Sequence, residues 1–249
     1  YFGGTGQMAT ALRNNEIDIA VILTEGIIKD ITEGSPCKIV QVFVETPLVW
    51  GIHVAEKSAF THLSELKGQR AAISRYGSGS HLMAYVNAQK LDWDTATDLQ
   101  FEVVKDLDGA VEALTHQKAD YFMWEKFTTK PLVDQRIFRR LGDCPTPWPC
   151  FVIAVRDEFI SNEKETLQTI LKVINSITAG FKHIPEIETI ISERYHQKNE
   201  DVKNWLALTE WSQQNIQAST VEAVQEQLLK LDIISKKLPF EQLVVSLED

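Results

Sequence analysis

The sequence predicts an α/β fold followed by a helical layer, and two observations support this prediction. Up to Val155, short apolar runs rich in β-branched residues alternate with segments of helical periodicity, which is typical of a sheet with crossover helices. From Glu163 to Leu231, apolar side chains recur every three or four positions, and no convincing strand interrupts them. The length of 249 residues leaves the domain count open, because one large domain and two smaller domains are both ordinary at this size.

The elements follow in order along the chain. Tyr1 and Phe2 run directly into a glycine-rich turn, so we expect them to end a strand that begins upstream, in a longer protein. The apolar runs predict strands at Ile17–Leu23, Lys38–Glu45, Val49–Ala55, Arg70–Ser74, Gln100–Val104, Ala119–Trp124 and Phe151–Val155. Between them, helical periodicity predicts helices at Gln7–Asn14, Ile27–Glu33, Leu63–Leu66, Ser80–Gln89 and Gly109–Gln117.

A weak internal repeat indicates two similar α/β units. Gly3-Gly-Thr-Gly6 precedes a helix, after which Asp18 opens a buried strand. Gly77-Ser-Gly-Ser80 precedes another helix, after which Asp120 opens a strand; each aspartate follows an Ala-Leu pair by six residues. Two similar units are the natural interpretation, although generic strand–helix–strand sequences can share such spacing by chance.

Prolines mark the crossings between these units. Pro47 follows one predicted strand, and three prolines precede another, namely Pro145, Pro147 and Pro149. Because proline fixes φ and interrupts strand ladders, these residues favour defined linkers over continuous sheet. We therefore expect two lobes joined by two strands, in which lobe one is residues 1–48 with 151–249 and the inserted lobe two is residues 49–150.

The chain is acidic, with 35 Asp and Glu against 25 Lys and Arg, so its formal net charge is −10. This balance argues against nucleic acid or an anionic membrane surface as a partner, because neutralising phosphates needs a basic face. No run approaches the roughly 20 apolar residues that span a membrane, so we expect no direct membrane insertion of this chain.

The cysteines are few, and they lack the spacing of a zinc site or of a disulfide framework: Cys37, Cys144 and Cys150. Cys144 and Cys150 flank a proline-rich segment and could form a disulfide. Buried free thiols are the other alternative.

The segment Ser74–His81, Ser-Arg-Tyr-Gly-Ser-Gly-Ser-His, is the most specific motif. Gly77 and Gly79 permit tight backbone conformations between a strand and a helix, and the neighbouring serines can cap the helix. Such a turn presents free N–H groups at a positive helix end, which suits a carboxylate, sulfonate or phosphate. Arg75 and His81 add donors. The alternative is an ordinary capped turn, and the absence of a following Gly-Lys-Ser/Thr excludes a P-loop.

Three further places are weaker candidates. Gly3-Gly-Thr-Gly6 forms a similar turn but lacks the full dinucleotide-binding spacing. Thr24-Glu25 and Trp124-Glu125 end predicted strands, where open α/β sheets place their ligands. An aromatic ring beside a carboxylate would suit an amine-bearing or heteroaromatic ligand. Each glutamate could equally cap the start of a helix.

The sequence predicts no catalytic residues. It contains no Gly-x-Ser-x-Gly elbow, no His-Glu-x-x-His motif and no Cys/His signature. Adjacent Ser80 and His81 on a helix would point about 100° apart, so they would not form a nucleophile–base pair. We therefore expect a binding protein without a catalytic centre, a metal or a cofactor.

The order of these motifs carries a family resemblance over nearly the whole chain. Gly-Gly-Thr-Gly, Asp-Ile-Ala-Val, Thr-Glu-Gly, Leu-Lys-Gly, Gly-Ser-Gly-Ser-His and Ala-Asp-Tyr-Phe-Met-Trp-Glu occur in that sequence. In this respect the chain resembles the substrate-binding proteins of nitrate, sulfonate and taurine ABC transporters. The resemblance implies a type II periplasmic-binding-protein fold, in which two α/β lobes joined by a two-strand hinge close on a small ligand. It also implies an ABC-transporter permease as partner and a location in the periplasm or cell envelope.

The resemblance assigns ligand-binding residues by their position in the motifs. The ligand it implies is small and organic, with an anionic, sulfonate-like or pyrimidine-like group. The residues are Gly4, Thr5, Thr24 and Glu25 in lobe one, and Tyr76, Gly77, Ser78, Gly79, His81, Trp124 and Glu125 in lobe two.

Two alternatives share this fold. The same superfamily includes the thiamine-pyrimidine precursor synthases, whose cysteine-rich segment would fall near Cys150. Here that segment is Trp148-Pro-Cys-Phe151, without clustered cysteines. The alternatives are therefore a synthase-like enzyme that uses His81 and a metal, and a cytosolic ligand sensor.

Overall fold

The computed structural model describes residues 4–247 and divides the chain into two compact units. Unit one is the chain up to Pro47 and again from Trp148, and unit two is Leu48–Pro147. The expectations for Tyr1, Phe2 and Gly3 lie outside the described residues.

The regular elements are short, and their bounds follow in chain order. The strands are β1 (Ile19–Leu23), β2 (Cys37–Val44), β3 (Val49–Ala55), β4 (Arg70–Ile73), β5 (Gln100–Val103), β6 (Tyr121–Glu125), β7 (Phe138–Pro145) and β8 (Phe151–Arg156). The helices are α1 (Thr5–Arg13), α2 (Thr24–Thr32), α3 (Gly79–Lys90), α4 (Leu107–Thr115), α5 (Lys130–Asp134), α6 (Asp157–Asn162), α7 (Lys164–Gly180), α8 (Ile187–Tyr195), α9 (Asn199–Leu208), α10 (Ala218–Lys230) and α11 (Phe240–Leu243). Short 3₁₀ helices occur at Leu63–Leu66 and Phe181–His183.

Unit one is built on a three-stranded sheet with the order β1-β8-β2, in which β8 is antiparallel to both neighbours. The apolar run at the centre of β8 is completely buried, which explains its β-branched composition. Leu167 and Leu171 of α7 pack with Ile153 and Val155 on one side of this sheet. Helix α2 contacts all three strands and packs against α10.

Unit two is a five-stranded sheet with the order β5-β4-β6-β3-β7. Strand β4 is parallel to β5 and β6, whereas β3 is antiparallel to β6 and β7. Successive residues of β6 alternate between two apolar clusters, as the pleat requires. Tyr121 and Met123 pack with Met83 of α3, while Phe122 packs with Leu114 of α4. The two helices therefore cover opposite faces of the sheet.

The predicted α/β class is confirmed, and the C-terminal segment is helical as expected. Each predicted strand and helix is present, with bounds that differ by at most three residues. In the described part of the C-terminal segment, Trp211 and Val244 make only isolated bridges, with Val44 and Ile39 respectively.

Some expectations about single elements were wrong. Strand β7 and the short helix α5 were not predicted. Pro145 is the last residue of β7 and pairs with Val49, so it is not a linker residue as expected. Within the described residues, β7 pairs only with β3, and an edge strand tolerates proline at its end. Helix α2 begins at Thr24 and not at Ile27.

The cysteines are free thiols. Cys37, Cys144 and Cys150 are all buried and unbridged, so the free-thiol alternative is correct.

Candidate functional site

The turn between β4 and α3 is tied together by its serines. Ser78 is the N-cap of α3, and its Oγ accepts a hydrogen bond from the His81 N–H at 3.3 Å. Ser80 Oγ accepts from the Ser74 N–H at 3.0 Å and lies 3.1 Å from Ser78 Oγ. Gly77 has φ of 73°, in the left-handed region that favours glycine. The sequence Gly-Ser-Gly-Ser thus fixes the backbone at the start of the helix.

This turn leaves two backbone donors free. Among the described residues, the N–H groups of Gly79 and Ser80 have no acceptor, as expected for the first positions of a helix. Helix α3 is twelve residues long, so its N-terminus carries a positive dipole end. Arg75 is exposed nearby in the chain and makes no ion pair with the described residues. The arrangement can accept an anionic oxygen.

His81 lies in an aromatic cluster beside the turn. Its Nδ1 accepts a hydrogen bond from the Gly77 N–H at 3.1 Å, and only 7% of the residue is exposed. The centroid of its ring lies 4.7 Å from Phe101, 5.1 Å from Tyr85 and 5.3 Å from Tyr76. Burial lowers the pKa of His81 below its ordinary 6.5, so the ring is neutral at pH 7. Tyr76, in contrast, is 65% exposed.

In unit one, the starts of α1 and α2 lie side by side. Gly4 has φ of 140° and precedes α1, and its carbonyl accepts from the N–H groups at the helix start. A Cβ atom built on Gly26 would lie 2.2 Å from Thr5 Cγ2, so the two helix starts touch where Gly26 has no side chain. The structure therefore brings Thr5 against the first turn of α2, the turn that contains Thr24 and Glu25.

The side chains of Thr24 and Glu25 are buried in unit one. Thr24 Oγ1 donates to the Pro149 carbonyl at 2.6 Å. Glu25 is 3% exposed, and its Oε2 accepts from Trp148 Nε1 at 2.9 Å. Its Oε1 has no hydrogen-bond partner among the described residues. Burial raises the pKa of Glu25, and the hydrogen bonds from its own backbone and from Trp148 oppose this shift only in part.

At the end of β6, Glu125 binds the following turn. Its carboxylate accepts from the N–H of Phe127 at 2.9 Å and from the N–H of Thr128 at 2.7 Å. The ring of Trp124 stacks on Phe122, with centroids 5.2 Å apart, and lies edge-on to Trp50 at 6.3 Å. The Glu125 carboxylate is therefore engaged by backbone groups of its own turn.

Sequence reasoning missed the aromatic neighbours of His81 and the partner of Glu25. Tyr85 follows His81 by four residues, and this helical spacing could have indicated the contact. Phe101 comes from β5, and no local pattern links it to His81. Trp148 lies 123 residues from Glu25 in the sequence, so no local pattern links these two residues either. The roles of the predicted site residues in binding stay predictions.

Between residues 4 and 247, no group of three or more His, Cys, Asp and Glu side chains could hold a metal ion. None of the helices in this range is both long and apolar enough to cross a membrane.

The chain resembles known proteins in part of its sequence and in its fold. A model of the Ca3427-like PBP family, where PBP denotes periplasmic binding protein, matches residues 50–144, which lie in unit two. No curated protein sequence matches the chain.

Solved structures resemble almost the whole chain. The CA3427 gene product of Candida albicans, described as having the generic periplasmic binding protein fold, is 25% identical with a TM-score of 0.84, over 95% of this chain and 80% of that one. The alkanesulfonate-binding protein SsuA from Xanthomonas axonopodis pv. citri, bound to MOPS, is 17% identical with a TM-score of 0.83, over 98% and 86%.

A third structure extends the comparison. The ligand-binding component of an ABC-type import system from Staphylococcus aureus, with zinc bound, is 16% identical with a TM-score of 0.77, over 98% of this chain and 84% of that one. The chain therefore has the type II periplasmic-binding-protein fold, which confirms its resemblance to the substrate-binding proteins built on that fold.

Proposed function

We propose that the protein is a solute-binding protein that captures a small organic anion, with a sulfonate as the first candidate, for an ABC importer. One observation carries the proposal: the N–H groups of Gly79 and Ser80 are free at the positive end of α3. The fold shared with an alkanesulfonate-binding protein and with an ABC import component supports it. We further propose that it acts in the periplasm or cell envelope, which cell fractionation would test.

The chemistry of the turn favours a ligand with several acceptor oxygens. The hydroxyls of Ser78 and Ser80 are engaged with the turn itself, whereas the backbone N–H groups of Gly79 and Ser80 have no acceptor among the described residues. A sulfonate offers three oxygens and a permanent negative charge. Hydrogen bonds to a charged group contribute about 1.5–3 kcal/mol each, which suffices for a measurable affinity from two donors and the helix dipole.

The other predicted ligand-binding residues differ in whether their side chains have hydrogen-bonding groups or ring surface left for a ligand. Thr24 donates its hydroxyl proton to Pro149, and Glu125 accepts from its own turn. Tyr76 presents an exposed ring, and one oxygen of Glu25 has no hydrogen-bond partner within residues 4–247. The proposal therefore rests on Gly79 and Ser80, and the other residues stay secondary to them.

Isothermal titration calorimetry tests the proposal with ethanesulfonate, taurine, MOPS, nitrate and a hydroxymethylpyrimidine. We expect at least one sulfonate to bind, and we expect Gly79→Pro to weaken it about tenfold, which corresponds to about 1.4 kcal/mol. Proline at the first position of a helix removes one N–H group with little cost to the helix. Ser78 is already extended, with φ −84° and ψ 169°, as a residue before proline requires.

Ala218→Pro is the matched control. Ala218 is the exposed first residue of α10, and the preceding Gln217 is also extended, with φ −76° and ψ 143°. This variant should bind as the wild type does. Equal affinities for Gly79→Pro and wild type would show that the start of α3 does not bind the ligand. If the wild type binds none of the sulfonates, the proposed ligand class is wrong. Mass spectrometry of the recovered ligand should show it unchanged, whereas turnover would show an enzyme.

A further inference from the structure

The tautomer of His81 follows from one backbone hydrogen bond. The Gly77 N–H can only donate, and it points at His81 Nδ1 from 3.1 Å. Nδ1 is therefore unprotonated, and the single proton of a neutral imidazole lies on Nε2. The neutral state is consistent with the burial that lowers the pKa of His81.

The Nε2–H group of His81 has no hydrogen-bond partner in the described part of the chain. Nε2 of His81 makes no hydrogen bond with the described residues, although the residue is only 7% exposed. The Nε2 atom itself is not completely enclosed by the protein. A buried polar side chain normally finds a partner, because a donor that loses its hydrogen bond to water without gaining another destabilises the folded state. The ring cannot turn away freely, because Phe101, Tyr85 and Tyr76 surround it.

We propose that His81 Nε2–H is an uncharged donor to an acceptor atom of the ligand, and that Gly77 is the positioning residue that holds this tautomer. The inference rests on the proposed function and specifies how the site would recognise its anion. The first residue after the free N–H groups of Gly79 and Ser80 is His81, and its ring lies against the same turn through Gly77. Gly77 itself has a left-handed φ of 73°, a conformation that favours glycine.

The chemical consequence concerns the class of ligand. A neutral N–H group recognises the position of an acceptor and not its charge, whereas the helix end provides the favourable potential. The exposed ring of Tyr76 lies edge-on to His81, at an interplanar angle of 79°, and can contact an apolar group. The proposal therefore favours an organic sulfonate with a carbon chain over an inorganic anion such as nitrate.

Nuclear magnetic resonance of protein labelled with ¹⁵N-histidine tests the tautomer without any ligand. A long-range ¹H–¹⁵N spectrum at pH 7 should show His81 as the neutral Nε2–H form, and the signal is assigned by its loss in His81→Asn. A proton on Nδ1 or a charged ring would overturn the proposal. Addition of MOPS should shift the Nε2 resonance while the Nδ1 resonance keeps the chemical shift of an acceptor.

Two amide variants separate the nitrogen atoms. Asparagine places its oxygen near the position of Nδ1 and nothing at Nε2, whereas the NH₂ group of glutamine reaches the position of Nε2. We expect His81→Asn to weaken MOPS binding about tenfold and His81→Gln to weaken it less than about threefold, with thermal unfolding of both variants recorded to confirm folding. Equal binding by His81→Asn and wild type would overturn the donor role.

The result distinguishes this inference from the proposed function. If the wild type binds MOPS and the two variants behave alike, the donor role is wrong while the binding function stands. If the wild type binds no sulfonate, the proposed function fails, and the spectrum of the free protein still decides whether Gly77 holds the Nε2–H tautomer.

Discussion

Glu25 in unit one and Glu125 in unit two occupy matching places in the internal repeat, yet their carboxylates have different hydrogen-bond partners. Glu25 is buried, and one of its oxygens accepts a hydrogen bond from Trp148 Nε1, while the other has no partner among the described residues. Glu125 is partly exposed and accepts two backbone N–H groups of the next residues. The same strand-end position thus yields a buried carboxyl in one unit and a turn cap in the other.

The residues that follow each glutamate explain the difference. Gly26 allows α2 to begin immediately after β1 and to touch Thr5 of α1, so Glu25 is enclosed within the first turn of a helix. After Glu125 the chain forms a turn, and α5 begins only at Lys130. The N–H groups of Phe127 and Thr128 lie in this turn and not inside a helix, so they can donate to the Glu125 carboxylate.

The aspartates of the repeat behave alike, in contrast to the glutamates. Asp18 precedes β1 and pairs with Arg156 of β8 at 2.8 Å. Asp120 precedes β6 and pairs with Arg70 of β4 at 3.0 Å. In both units, an aspartate at the start of a strand meets an arginine of the neighbouring strand. The repeat therefore predicts local pairing at strand starts better than it predicts the chemistry at strand ends.

The largest effect should come from Glu25→Ala. This change removes the acceptor of Trp148 Nε1 and leaves a cavity in unit one, so the free energy of unfolding should fall by about 2–4 kcal/mol. Urea unfolding followed by tryptophan fluorescence measures the change. Glu25→Gln is the matched control, because it keeps both the side-chain volume and an oxygen for Trp148, and it should cost less than about 1 kcal/mol. Equal losses for alanine and glutamine would show that the hydrogen bond is not the stabilising feature.

A smaller effect should appear as a dependence on pH. Burial raises the pKa of Glu25 above its ordinary 4.5, so the folded state holds this proton more tightly than the unfolded state. Ionisation is then less favourable in the folded state, and stability is lost as the pH rises from about 4.5 through the folded pKa. Relative to Glu25→Gln, the wild type should lose at most about 1.4 kcal/mol per pH unit across this window. Unfolding free energies of both proteins at several pH values test this, and a constant difference would contradict it.

Much of the fold was predictable from local sequence, because buried strands need apolar, β-branched runs. Strand β3 was predicted with its observed bounds, and β8 differs by one residue. Strand β7 was missed because its sequence contains adjacent arginines, a glycine and an aspartate, and most of its residues are only half-buried. It is an edge strand that pairs only with β3, and charged residues are common at such edges.

The candidate site was predictable only where it is local. The Gly-Ser-Gly-Ser pattern predicted Ser78 and Ser80 as possible helix caps, and Ser78 is the N-cap; capping acts within a few residues, so a local pattern can reveal it. The hydrogen bond between Glu25 and Trp148 joins positions 123 residues apart, and no local pattern contains it. The tautomer of His81 also depends on the backbone conformation of Gly77, which the residue type permits but does not determine.

The smallest effect should come from Glu125→Ala. The change removes the acceptor of the Phe127 and Thr128 N–H groups and of Thr128 Oγ1, all in a turn that solvent reaches. Water can replace the carboxylate there, so the free energy of unfolding should fall by only about 0.5–1.5 kcal/mol. Glu125→Gln retains one acceptor oxygen and should recover part of this loss in the same urea experiment. If Glu125→Ala instead leaves stability unchanged and weakens MOPS binding tenfold or more, the carboxylate contacts the ligand. Glu125, and not Glu25, would then be the glutamate of the repeat that serves binding.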